Sequence, residues 1–297
     1  MDLLHTCKTE RKVHLMQNID RLRLPLMSRP HLPLMPMPLI FTAREILSGN
    51  DWSWAKSALN HSDWLNVDGL QIWSPVRANA LYVKLSMPFR TLQVRMMDDG
   101  SSDTYVFDEI EGTMVPNPGP FKQGNARAPV QFGAIQVTKT GRKIIVVPTR
   151  NQTFEEPLLR DGASVSAPDD VFTLLVQLRR WQEANNPISG RTSWRQLKEL
   201  KAFRSEKESC FLFRDPTNEL HPDEPISTGC IHALWLRLLQ ELERRLAEQD
   251  IVGFDSQPIK LISAYDRRGN PSSAVFGLHS LRNSMEVHAS SAGGRLI

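Results

Sequence analysis

The sequence has 297 residues, 40% of them hydrophobic and 23% charged, with 36 basic against 33 acidic side chains for a net charge of +3. That is ordinary globular usage with room for one or two cores, and it excludes wholesale disorder, collagenous repeats and coiled coils. Cys7, Cys210 and Cys230 are scattered, with no CxxC, which argues against a disulfide framework or a metal site, and no apolar run approaches the roughly 20 residues of a membrane span.

In chain order, Val13, Met16, Ile19 and Leu22 form a short helical stripe. The run LPLMSRPHLPLMPMPLI holds too many prolines for a helix or a central strand and reads as an extended connector. FTAREILSGN predicts a short helix, with Thr42 as N-cap and Gly49 as stop. Trp52, Trp54, Trp64 and Trp73 suggest a small packed cluster in a helical segment. SPVRANALYVKL predicts a helix capped by Ser74, and Pro88 separates it from a second helical piece.

TYVFDEI, PVQFGAIQV and KIIVVP read as strands, the last two joined by a hairpin turn near Lys139 to Gly141. Residues 150–168 read as loop. DDVFTLLVQLRRWQEANN is an amphipathic helix with Asp169 or Asp170 as cap and Phe172, Leu175, Leu178 and Trp181 on one face. SWRQLKELKAF reads as a basic helix, and CFLFRDP as a short buried strand or loop. STGCIHALWLRLLQELERRLAEQ is the strongest helix, followed by a strand in PIKLISAY, a loop in DRRGNPSSAVFG and a last helix from LHSLRNS. Helices around one small antiparallel sheet make an α+β class.

His279 and Arg282, three apart on that last helix, share a face, and imidazole beside guanidinium suits a phosphate. The segment GLHSLRNS resembles the second signature box of the tyrosine recombinase, or phage integrase, family. MPFRTLQVRMMDDG is similar to the first box, with Arg90 in the arginine position, Gln93 where glutamate is usual, and Arg95 as the fallback. VTKTGRKIIVVP resembles the hairpin that carries the family's lysine, here Lys139. MMDDGSSDTY and RRWQEANNPISG look like the long inserts of divergent integrases from mobile gene clusters.

The resemblance implies site-specific DNA integration and recombination, with double-stranded DNA and other recombinase protomers as partners and no cofactor. Arg90 and Arg282 would clamp the non-bridging oxygens of one phosphate, Lys139 would protonate the leaving oxygen and His279 would assist. Arg95, Arg142 and Lys143 would add DNA contacts. The family's nucleophile is a tyrosine beyond the second box, but Tyr82, Tyr105 and Tyr265 all precede it. The expected organisation is therefore a helical segment and Pro-rich linker over 1–40, a small Trp-rich helical segment over 41–74, and a mostly helical catalytic domain with a small antiparallel sheet over 75–297, incomplete at its C-terminus. The protein is expected in the cytoplasm, associated with the nucleoid. The alternative is a non-enzymatic DNA-binding or partner-binding remnant of an integrase.

Overall fold

The structure, a computed structural model, describes residues 33–148, 163–197, 208–253 and 256–291. The helical stripe near the N-terminus, most of the Pro-rich connector and the basic stretch beyond Leu197 lie outside the described residues. The described residues form an α+β fold of six helices and small antiparallel sheets. They fall into two compact units, residues 33–54 with 235–291, and residues 55–234.

The 55–234 unit opens with a hairpin of β1 (Trp64–Val67) and β2 (Leu70–Trp73), in which Trp64 pairs with Trp73. The helical expectation fails here because Asp68-Gly69 supplies a two-residue turn between two short runs of strand formers. The indole of Trp64 donates to the Lys56 carbonyl at 2.9 Å, and the Lys56 ammonium lies 5.5 Å from the centre of the Trp73 ring. Helix α2 (Val76–Ser86) starts behind Pro75, which takes the N-cap place expected for Ser74; the Ser74 amide donates instead to the Asp63 carbonyl. Extended Met87 and Pro88 end it, and α3 (Thr91–Arg95) follows.

Strands β3 (Tyr105–Asp108) and β4 (Thr113–Pro116) form a second hairpin beside β5 (Ile135–Val137). Strand β6 (Lys143–Val147) is the middle of a three-stranded antiparallel sheet, between β5 and β7 (Ala163–Ser166). Strand β7 lies in a stretch read as loop. Its polar sequence carries no strand signal, and the open edge of β6 organises it by backbone pairing. Helix α4 (Asp169–Asn185) packs against α2 and this sheet, burying Phe172, Leu175 and Leu178. Pro168 is its N-cap, so Asp169 and Asp170 stand in the first turn, where their charge suits the helix dipole.

Of the basic helix expected from Ser193, the described part is β8 (Thr192–Ser193) and a 3-10 turn, Trp194–Gln196, with β8 pairing to β9 (Glu208–Ser209), and the part beyond Leu197 lies outside the described residues. Trp194 is drawn into a cluster with Met96, Leu197 and Phe211, and its indole donates to Ser209 Oγ at 3.0 Å.

In the other unit, α1 (Met37–Ser57) begins inside the proline-rich run. Pro38 falls in its first turn, where a missing N–H costs nothing. Thr42 is no cap: its hydroxyl donates back to the Pro38 carbonyl at 2.9 Å. The helix breaks at Gly49, followed by Asn50, Asp51 and Trp52, all at positive φ. Helix α5 (Thr228–Glu248) buries Trp235, Leu238, Leu239, Leu242 and Leu246 along one stripe, as its periodicity requires. Strands β10 (Ile262–Tyr265) and β11 (Pro271–Ala274) pair where a strand and then a loop are expected, and α6 (Leu278–Ser291) follows.

Candidate nucleic-acid interface

Arg90 stands at the N-cap of α3 in extended conformation. Its amide donates to Gln93 Oε1 at 2.8 Å, and Gln93 Nε2 donates to the Pro148 carbonyl at 3.2 Å. One glutamine thus ties the Arg90 turn to the end of β6. The preceding residue is fixed from inside: Lys84, with no solvent exposure, donates its ammonium to the Phe89 carbonyl at 2.5 Å. With its backbone so held, Arg90 leaves a half-buried guanidinium with no partner among the described residues. Arg95 faces the other way. It is 6% exposed, donates through Nε to the Ile226 carbonyl and through Nη1 to Thr228 Oγ1, and so holds the start of α5.

Lys139 is exposed at the tip of the β5–β6 hairpin, whose turn closes by Thr138 N–H to the Arg142 carbonyl and Gly141 N–H to the Thr138 carbonyl, both 2.9 Å. Gly141 has φ +79, a conformation that glycine takes without strain. Arg142 and Lys143 are neighbours with different commitments. Arg142 Nε donates to Ser166 Oγ at 3.3 Å, while Lys143 pairs with Asp169 at 2.6 Å and lies 5.5 Å from the Phe172 ring centre.

The entry to this hairpin is held by the MMDDGSSDT segment, for which the sequence offered only a likeness to inserts. Asp103 accepts from the amides of Phe132 and Gly133, at 2.6 and 2.7 Å, and from Gln131 Nε2 at 2.8 Å. The Ala134 amide donates to the Asp98 carbonyl at 2.7 Å, one residue before β5. Asp99 accepts from the buried Arg214 at 2.6 Å. Burial, with Asp98 nearby, pushes the Asp103 carboxyl up to about 7 against the pull of the two amides. This loop is a buried scaffold for the lysine hairpin.

In the other unit, α6 carries His279, exposed, and Arg282, whose Nε donates to Glu286 at 2.6 Å one turn on. The terminal nitrogens of Arg282 have no partner among the described residues. The helix is seated by Leu281, Ser284 and Met285, and Ser284 Oγ accepts from the Met35 amide at 2.8 Å. Further along, burial holds His288 below the ordinary histidine value.

Arg90 and Lys139 thus belong to one unit, and His279 and Arg282 to the other. Tyr82 donates to Asp170 at 2.8 Å, Tyr105 is half-buried in β3, and Tyr265 is 50% exposed in β10. Sequence reasoning missed Lys84 and Asp103. The only available signal was a lysine on the apolar side of the α2 pattern, and an acidic run too polar to look like core. Among the described residues no cluster of His, Cys, Asp or Glu could hold a metal ion, and no helix is long and apolar enough to cross a membrane.

Residues 68–195 match the family model described as "Putative integrase", a span that includes Arg90, Lys139, Arg142 and Lys143. No curated protein and no solved structure matches the chain.

Proposed function

Because residues 68–195 match a putative-integrase family model, we propose that the chain is a tyrosine-recombinase-type protein that grips duplex DNA by its phosphates. The observation that carries this reading is the Gln93 bridge. It ties the Arg90 turn to the far end of the strand that leaves the Lys139 hairpin, so both cations of the matched segment stand on one connected scaffold. A guanidinium held by its backbone and left without an ion-pair partner among the described residues is preorganised to donate two bonds to phosphate oxygens. An exposed lysine on a glycine-closed turn can approach the backbone and hand a proton to a leaving oxygen. His279 and Arg282 offer a second pair of phosphate donors on α6.

The resemblance puts the nucleophile on a helix beyond Arg282. Tyr82 is committed to Asp170 and Tyr105 lies in a strand of the matched segment. Assembly with other recombinase protomers and a place at the nucleoid follow from the same reading.

The test is fluorescence-anisotropy binding of the full chain to a labelled mixed-sequence duplex over a salt series. Each phosphate contact contributes about 0.9 to the slope of log affinity against log salt. Arg90→Ala and Lys139→Ala are each expected to remove about that much. A chain that ignores duplex DNA, or variants with the parental slope, would overturn the reading.

A further inference from the structure

The turn that presents Lys139 occurs twice. In Thr138–Arg142, the first residue's amide donates to the fifth residue's carbonyl at 2.9 Å, the fourth residue's amide returns to the first carbonyl at 2.9 Å, and the fifth amide donates to the Thr138 hydroxyl at 3.1 Å. In Asp266–Asn270 the same three bonds measure 2.8, 3.0 and 2.8 Å, the last to the Asp266 carboxylate. The fourth residue is glycine in both, at φ +79 in Gly141 and +77 in Gly269. Both are five-residue hairpin turns closed by a left-handed glycine. The position that Lys139 occupies in the first belongs to Arg267 in the second.

The second turn is stiff and positively charged. Asp266 also accepts from the Arg268 amide at 2.8 Å and the Asn270 side chain at 3.1 Å, so its carboxylate is spent on the turn. The ribbon is clipped to α5 at both ends. Arg237 Nη2 donates to Asn270 Oδ1 at 2.6 Å near the tip, and Glu243 accepts the Leu261 and Ile262 amides at 2.7 and 3.1 Å at the base. The Arg237 guanidinium lies close enough to the Asp266 carboxylate to act on it, and Arg267 and Arg268 add two more positive charges to the same turn. Arg267 and Arg268 are exposed, and their guanidiniums have no partner among the described residues. Tyr265, Ser272 and Ser273 line the exposed strands with hydroxyls and no large aliphatic group.

We infer that the β10–β11 ribbon is a second DNA finger, with Arg267 and Arg268 each contacting a backbone phosphate of duplex DNA. The charge, the rigidity and the absence of an aliphatic face all fit a polyanion, since phosphate recognition needs fixed donors and little apolar area. The inference rests on the DNA-binding reading and adds a surface outside the residues matched to the integrase family.

The experiment compares the full chain, Arg267→Ala/Arg268→Ala, Arg267→Lys/Arg268→Lys and Arg90→Ala on the same labelled duplex over a salt series. Loss of both arginines is expected to lower the salt slope by about 1.8, with thermal stability unchanged, and the lysine pair to restore most of it. A double-alanine slope equal to the parent's overturns the finger and leaves the DNA reading standing. An unchanged slope with an altered oligomeric state would make the ribbon a protein contact and overturn it too. Loss of slope in the hairpin variant but not in Arg90→Ala would sustain the finger and sink the Arg90 assignment. A parent chain that ignores DNA would end both.

Discussion

The Thr138–Arg142 turn joins the edge strand β5 to the middle strand of a three-stranded sheet that packs against α4, while the Asp266–Asn270 turn caps a two-stranded ribbon fastened to α5 by two side chains. Their backbones follow the same path. A glycine in the fourth place and an oxygen-bearing side chain in the first are enough to set that path, whatever lies underneath. What differs is how each cation is braced. Lys139 inherits the rigidity of a core, and Arg267 that of a few polar clips.

Removing the braces should separate the two. Lys84→Met strands the buried Phe89 carbonyl beside Arg90. We expect a loss of about 3 kcal/mol by urea unfolding, because the lost bond has a charged donor in the interior. DNA affinity should fall with it even where the chain remains folded. Glu243→Ala releases the amides of Leu261 and Ile262. It should cost about 2 kcal/mol and weaken amide-exchange protection in β10 and β11 while leaving that of β5 and β6 unchanged.

Acid should discriminate more gently. The Asn270 amide and side chain, with the Arg268 amide, hold the Asp266 carboxyl below its ordinary 3.8. A depressed carboxyl supports the folded turn above that ordinary value and loses its effect as pH falls through the lower folded value. Glu243 behaves likewise: burial pushes it up, but the Leu261 and Ile262 amides and Lys260 outweigh that and hold it low. The Thr138 hydroxyl, in the equivalent place, does not titrate. The amide resonances of Arg268 and Asn270 should therefore move below pH 3.8 while that of Arg142 stays still. Thr138→Asp should make the Arg142 amide resonance move with acid as well.

The two turns also mark how far the sequence could be read. VTKTGRKIIVVP flanks its glycine with β-branched residues, so its hairpin was legible. The equivalent turn follows PIKLISAY, which is legible as strand, but the proline, serines and alanine after it carry little strand signal, so the second arm reads as loop. Its pairing comes from Glu243 and Arg237, far away in the chain. The helices α4 and α5 were legible because a stripe of Leu and Phe repeats at helical spacing over many turns. The caps were not: Pro75 and Pro168 displaced the Ser and Asp expected there. Of the candidate residues, Arg90, Lys139, His279 and Arg282 could be named from motifs. That Arg95 turns inward, that Gln93 spans two elements and that Asp103 pins the entry to β5 depend on contacts between residues distant in sequence.

The burial of Lys84 gives the molecule a built-in chemical contrast. An amine with no solvent exposure is closed to an acylating reagent, whereas Lys139 at its hairpin tip is open to one. In the native protein Lys139 should be modified readily because it is exposed. Lys84 should react only as often as the core around it opens, so its labelling rate counts unfolding events. The lysine that sets the geometry is thus a clock for the fold, and the lysine proposed to face DNA is a gauge of whether that face is covered.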